Sequence, residues 1–178
     1  MKNVLVVVDM QNDFIDGSLG SKDAEATVEA VIREIESDCY DFVALTRDRH
    51  NTNYLETLEG KNLPVEHCIV DTEGFKIRKE IYDAVEESGK AHKMFDKKSF
   101  GSFSLVNELQ ISADEIESIT LVGLCTDICV ITNALMLRAD LNNTPIYYVA
   151  DATAATSREN KEAAIKIMNA CQIYERKD

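Results

Sequence analysis

The chain has 178 residues, 45% of them apolar, a formal net charge of −13 and five cysteines. That length and apolar content suffice for one good core and predict one domain over residues 1–178, while the negative charge argues against nucleic acid or an anionic membrane as a partner. No stretch reaches the roughly 18 apolar residues a bilayer span needs, the run Val4 to Val8 is too short for an export signal, and the odd, unclustered set Cys39, Cys68, Cys125, Cys129 and Cys171 suits a reducing cytoplasm.

In chain order, Val4 to Val8 reads as a strand buried on both faces, and Asp9 follows it directly. A carboxylate at the carboxyl end of a strand sits where open α/β sheets build their sites, although an Asx turn or a helix cap uses the same residue type. Asp23 is a potential cap for a helix with the stripe Val28, Val31, Ile32 and Ile35, and Phe42 to Thr46 reads as a second buried strand. Ile77, Ile81, Ala84 and Val85 mark another helix, and Met94 and Phe95 a third strand, from which the segment 96–103 leaves as a loop. Leu121 to Val130, LVGLCTDICV, runs from a buried strand through Gly123 into a helix start. Thr126 is the expected N-cap there, Asp127 suits the positive end, and Cys129 falls in the first turn.

Ile119 to Val122 and Ile146 to Val149 are the remaining buried strands. A last helix is expected to bury Ala163, Ala164, Ile167, Met168 and Cys171 on one face, with Gln172 to Tyr174 adding an edge strand. This alternation predicts a three-layer α/β/α fold around a doubly wound, mostly parallel sheet. In the order 3-2-1-4-5-6 the switch point lies between strands 1 and 4, so that Asp9 and Cys129 face each other across the crevice.

Three groups of residues then carry candidate chemistry. Cys129 at a helix start is positioned for its thiolate to be stabilised by first-turn N–H groups and the dipole, although free cysteines such as Cys125 and Cys129 also serve as small buried hydrophobes. Either Lys97 or Lys98 can enter the same crevice from the third strand. Asp48, His50 and His67 offer a carboxylate and two imidazoles, a set suited to Zn²⁺, Fe²⁺ or Mn²⁺ if they converge and otherwise a pair of loop histidines.

Together, Asp9 in VDMQNDF, Lys97 in KKSFGSF and Cys129 in GLCTDICV resemble the Asp, Lys, Cys triad of the isochorismatase-like cysteine hydrolases, the superfamily that contains nicotinamidase/pyrazinamidase, over essentially the whole chain. The resemblance selects Lys97 over Lys98, because Phe100, Gly101, Ser102 and Phe103 meet the family spacing from Lys97. It implies a cis peptide at Leu124–Cys125 and an oxyanion hole made by the N–H groups of Cys125 and Cys129, with Cys125 standing where most relatives have Ala. It further implies a divalent transition metal, zinc first and iron or manganese next, on Asp48, His50 and His67. This chain carries Tyr54 where many relatives have a further histidine, so Glu59, and after it Glu56, is the expected fourth ligand.

The expected activity is hydrolysis of a small carboxamide, nicotinamide to nicotinate and ammonia, through a cysteine thioester, with Phe14, Leu19 and Phe100 as pocket walls. The alternatives are a metal-free cysteine amidase acting on a carbamoyl or ureido compound, and a non-catalytic binding domain. A small amide as partner and a homo-oligomeric assembly complete the expectation.

Overall fold

The computed structural model describes residues 2–177. Its strands are β1 (Asn3–Val8), β2 (Phe42–Asp48), β3 (Ala91–Lys97), β4 (Ser118–Leu124), β5 (Ile146–Ala154) and β6 (Ile173–Glu175). The helices are α1 (Asn12–Ile15), α2 (Lys22–Glu36), α3 (Leu58–Asn62), α4 (Lys79–Glu87), α5 (Phe103–Ile111), α6 (Ile131–Asp140) and α7 (Arg158–Ala170). All six strands form one sheet in the order β3-β2-β1-β4-β5-β6, and every neighbouring pair is parallel. The expected order is therefore found, and the sheet is wholly rather than mostly parallel. Among the described residues no helix is long and apolar enough to cross a membrane.

Alternation along β1 builds both layers of the core. Val4, Val6 and Val8 point into a cluster with Leu105, Val106, Leu109, Val130, Ala134, Leu137 and Met168 from α5, α6, α7 and the turn before α6. Leu5 and Val7 point the other way, among Ala30, Val31, Ile35, Ile81 and Val85 of α2 and α4. A strand with an apolar side chain at every position is stable only when both its faces are covered, which the helices on each side provide.

Four local expectations are corrected. Ser21, not Asp23, caps α2, its side chain accepting from the N–H of Ala24; Asp23 lies one residue inside the helix. Thr126 is not an N-cap: its hydroxyl is buried without a hydrogen-bond partner. The chain instead enters a single π-helical turn, Thr126–Val130, whose preceding carbonyl, that of Cys125, accepts from the N–H groups of Ile128 and Val130 at 3.1 and 3.0 Å. In α7 the buried residues are Ala164 and Met168, whereas Ala163 and Ile167 are exposed, and Cys171 is exposed just beyond the helix. Residues four apart share a face, and the Ala164–Met168 row takes the sheet, leaving the row one residue earlier on the flank. Finally, Lys97 is the last residue of β3 rather than part of the following loop.

Two backbone features fix the carboxyl edge of the sheet. Gly123 pairs with Val8, has φ of +105°, and would place a Cβ 2.1 Å from the Val8 carbonyl oxygen, so glycine alone lets β4 lie this close to β1 while turning toward Cys129. The Leu124–Cys125 peptide is cis. Gly123→Ala combines a strained φ with backbone overlap and should cost about 3 kcal/mol, read as a fall in Tm of roughly 6–12 °C in thermal unfolding.

Candidate active site

The switch point between β1 and β4 gathers four chain segments at one edge, and each contributes a side chain. Asp9, immediately after β1, is fully buried and takes a left-handed backbone with φ of +49°. Thr46 of β2 clamps it: the Thr46 hydroxyl donates to Asp9 Oδ1 at 2.6 Å, and the Asp9 N–H donates to the Thr46 carbonyl and hydroxyl oxygens, both at 3.2 Å. A non-glycine residue held at positive φ by such a clamp is the kind of local strain that folds tolerate at functional sites.

Lys97 and Cys129 complete this cluster. The Lys97 ammonium lies 2.6 Å from Asp9 Oδ2, 3.4 Å from Asp48 Oδ1 and 3.5 Å from Cys129 Sγ, while Lys98 is exposed. Oδ2 of Asp9 meets no donor at a hydrogen-bonding angle, so its contact with the ammonium is Coulombic first. Burial raises the Asp9 carboxyl pKa above its ordinary value despite Lys97, and the facing carboxylates hold Lys97 charged against its own desolvation.

Burial, and then the charge of Asp9, push the Cys129 thiol well above its ordinary value, outweighing Lys97. An enclosed thiol of this kind calls for a neighbouring base to take its proton as it reacts.

Some residues away along β2, a second group converges. His50 Nε2 lies 2.9 Å from Asp48 Oδ2 and 3.7 Å from Glu59 Oε1, and His67 Nε2 lies 3.5 and 3.7 Å from the same two oxygens. One ligand atom from each of Asp48, His50, Glu59 and His67 falls within 4.8 Å of the others. A transition metal bound tetrahedrally at about 2.1 Å sets its donors about 3.4 Å apart, so the donor set fits such an ion in spacing and in kind. His67 turns Nδ1 to the Val65 carbonyl at 2.8 Å, which orients Nε2 inward. The two histidines and Lys97 overcome desolvation to hold Asp48 well below the ordinary carboxylate range, while burial and Asp48 raise Glu59.

Glu59 sits at the second position of α3, a helix capped by Thr57; Glu56 is exposed and outside the group. Tyr54 is fully buried against both imidazoles, its ring centroid 4.7 Å from that of His50 and 4.9 Å from that of His67, with its hydroxyl donated to the Leu63 carbonyl. It therefore walls the donors.

Both groups open onto one cavity of about 240 Å³, lined by Asp48, Glu59 and His67, by Cys125 and Cys129, and by the apolar side chains of Phe14, Leu19, Leu63, Phe100 and Ile128, with Thr156 at the edge. Thr156 spends its hydroxyl elsewhere, donating to Asp127 and accepting from Asn160 Nδ2 at 2.8 Å. Among the described residues no arginine or lysine is part of the wall itself, and the Lys97 ammonium lies behind it, 3.5 Å from Cys129 Sγ. A space below the usual ligand-site range suits a molecule of about one ring.

Several residues that shape the site carried no separate signal in the sequence. Gln11 is fully buried; its Nε2 donates to the carbonyls of Asp48 and Phe75 at 2.8 and 2.9 Å, and its Oε1 accepts from the Asp48 N–H at 2.7 Å. Asp13 accepts from the Cys68 N–H at 2.7 Å, anchoring the turn that carries His67. Asn133, four residues after Cys129, is a polar residue on the buried side of α6 and bonds the loop that follows Lys97.

A family model described as the isochorismatase domain matches residues 3–174. The uncharacterized isochorismatase family protein PncA of Bacillus subtilis is 28% identical over 144 residues, 76% of this chain and 78% of that relative. Among solved structures, the pyrazinamidase/nicotinamidase of Streptococcus mutans superposes with a TM-score of 0.83 at 26% identity, covering 98% of this chain and 99% of that one. The N-carbamoylsarcosine amidase of Thermoplasma acidophilum gives 0.73 at 26% identity, over 99% and 96% of the two chains.

The donor geometry predicts that the purified protein, reconstituted with Zn²⁺, Fe²⁺ or Mn²⁺, retains one ion per chain by elemental analysis. His50→Ala and His67→Ala should lower that affinity by about 10–100-fold or more, the scale at which even outer partners of a ligand act. Tyr54→Phe, which keeps the ring wall, should leave the stoichiometry unchanged.

Proposed function

Because the chain belongs to the isochorismatase family of hydrolases, with the family model spanning residues 3–174, we propose that it is a cysteine-dependent amidohydrolase of nicotinamidase type. Its proposed reaction converts a small heteroaromatic carboxamide to the carboxylate and ammonia. The observation that carries this reading is the shared cavity: three of the four candidate metal donors, Asp48, Glu59 and His67, line the same small apolar space as the Cys129 thiol. Asp48 and Cys129 each lie within 3.5 Å of Lys97 Nζ, so one ring bearing an amide can reach from the first group to the second.

Asp48, His50, Glu59 and His67 would hold the metal, which when bound supplies a Lewis-acid anchor for a ring nitrogen. The chemistry of bond cleavage then falls to the protein. Asp9, whose raised pKa suits it both to take and to return a proton, removes the proton from Cys129 as sulfur attacks the amide carbon. The N–H groups of Cys125 and Cys129 receive the negative charge that develops on the carbonyl oxygen. Asp9 passes the proton to the departing nitrogen, ammonia leaves, and a thioester to Cys129 remains. Asp9 then takes a proton from water, whose oxygen attacks the thioester; the carboxylic acid departs and sulfur recovers its proton. Throughout, Lys97 holds Asp9 in place and offsets its charge.

Phe14, Leu19 and Phe100 give a flat ring apolar walls.

Cys129→Ala should abolish ammonia release, and Asp9→Asn and Lys97→Ala should each slow it by about a hundredfold or more. Cys125→Ala and Lys98→Ala should retain most activity. Loss in the Lys98 variant equal to that in the Lys97 variant would sink these assignments. Chelation should raise KM for nicotinamide and pyrazinamide steeply while leaving benzamide, which has no ring nitrogen, nearly unaffected. Equal effects on all three amides would remove the metal from substrate binding and favour the metal-free amidase, and no turnover of any primary amide would favour a binding domain.

A further inference from the structure

Asn133 lies one helical turn beyond Cys129 on α6 and is fully buried, yet it makes only one bond along its own helix. Its Nδ2 donates to the Cys129 carbonyl at 2.8 Å and to the Phe100 carbonyl at 3.2 Å, and its Oδ1 accepts from the Ser102 N–H at 2.9 Å. The amide thus saturates the backbone on both sides of Gly101 and ties it to the residue that carries the thiol. Gly101 itself is seated on α6, where an added Cβ would lie 2.3 Å from Met136 Sδ and 3.0 Å from a Thr132 methyl carbon. Phe100, the residue so held, is 45% exposed while lining the cavity. A half-exposed aromatic ring has little packing of its own to fix it, so its orientation rests on the backbone beneath it.

We propose that Asn133 is a positioning residue for substrate selection: it locks the 100–102 loop so that Phe100 presents a fixed wall to a flat ring opposite Cys129. This rests on the proposed reading of the cavity as the substrate site, and it extends that reading to a residue that touches no substrate. Fixing the wall before binding lowers the ordering cost of capture and favours ligands whose shape matches the fixed surface. A loop released from Asn133 would still admit small electrophiles and amides but would lose its preference for planar aromatic ones.

The test needs no turnover. Cys129 is alkylated in the folded protein by phenacyl bromide, whose carbonyl-bearing ring is flat, and by iodoacetamide, and the ratio of the two rates at Cys129, read by mass spectrometry of the adducts, is divided by the same ratio for free glutathione to give the aromatic preference. Asn133→Leu removes every bond of the amide. Asn133→Thr keeps a hydroxyl able to bond the Cys129 carbonyl, as Thr132 already bonds the Ile128 carbonyl at 2.6 Å, and cuts only the links to the loop. If the leucine variant does not fold, the threonine variant decides.

The wild type should prefer the aromatic reagent, Asn133→Thr should reduce that preference by about tenfold, and Phe100→Ala should do the same. The double variant should fall no further than either single one, because both changes remove the same wall. An unchanged ratio in Asn133→Thr, or additive losses in the double variant, overturns the proposal. A wild type without aromatic preference overturns it at its premise. An intact preference in a protein that releases ammonia from no amide leaves the positioning role standing and overturns the functional reading alone.

Discussion

One buried ammonium organises this molecule's active edge. Lys97 touches Asp9, Asp48 and Cys129 at 2.6, 3.4 and 3.5 Å, and these residues come from the ends of three adjacent strands and the turn after a fourth. Removing a lysine and two carboxylates from water is costly, and the arrangement persists because each charge has an opposite within contact distance. The parallel register sets this up: Val8 lies level with Thr46 and Gly123, and Asp48 with Lys97, so the strand ends arrive together. A shift of one residue in any strand would turn one of these side chains to the opposite face of the sheet.

That ion cluster also joins the Cys129 thiol and the candidate metal donors into one system. Asp48 contributes one oxygen to the lysine and the other to the two histidines. Its backbone is held on both sides by Gln11, which follows β1, and with each oxygen engaged by a different group the carboxylate cannot rotate without losing contacts. The metal donors and the thiol therefore keep a fixed separation that a ligand must match, which is how a small rigid cavity converts geometry into selectivity.

The strands and their order were legible because buried parallel strands write themselves as continuous apolar runs, and β1, β2 and β4 do so. Asp9 and Cys129 were legible as positions because each follows such a run within a recognisable motif, and Lys97, at the end of the mostly exposed β3, through its motif alone. Helix starts were less so. Ser21 competed with Asp23, and the π-helical turn at Thr126–Val130 has no signature in a pattern of apolar spacing. The outer partners were illegible for a different reason: Gln11, Thr46 and Asn133 act by bonding backbone groups 31 to 64 residues distant in several cases, and backbone groups look alike in every sequence. The upward push of burial on the Cys129 thiol was not legible because helix position is local, while burial depends on the whole fold.

All four candidate metal donors lie between Asp48 and His67, an excursion that leaves the sheet after β2 and holds one short helix, α3, and a 3-10 turn. The sheet core is assembled elsewhere, from strands and helices that contribute nothing to that set beyond Asp48 itself. An ion that binds only the closed excursion stabilises it by mass action, with each tenfold rise in free metal above Kd adding about 1.4 kcal/mol against local opening. The amide protons of His50 and Val70, which bond across the excursion to the Cys68 and His50 carbonyls, should then exchange with solvent at rates set by ambient metal. Those of β1 and β4 would follow the stability of the whole fold. With the proposed metal site filled, the chain would be two thermodynamic units: a scaffold of constant lifetime, and a segment whose lifetime reports the metal supply around it.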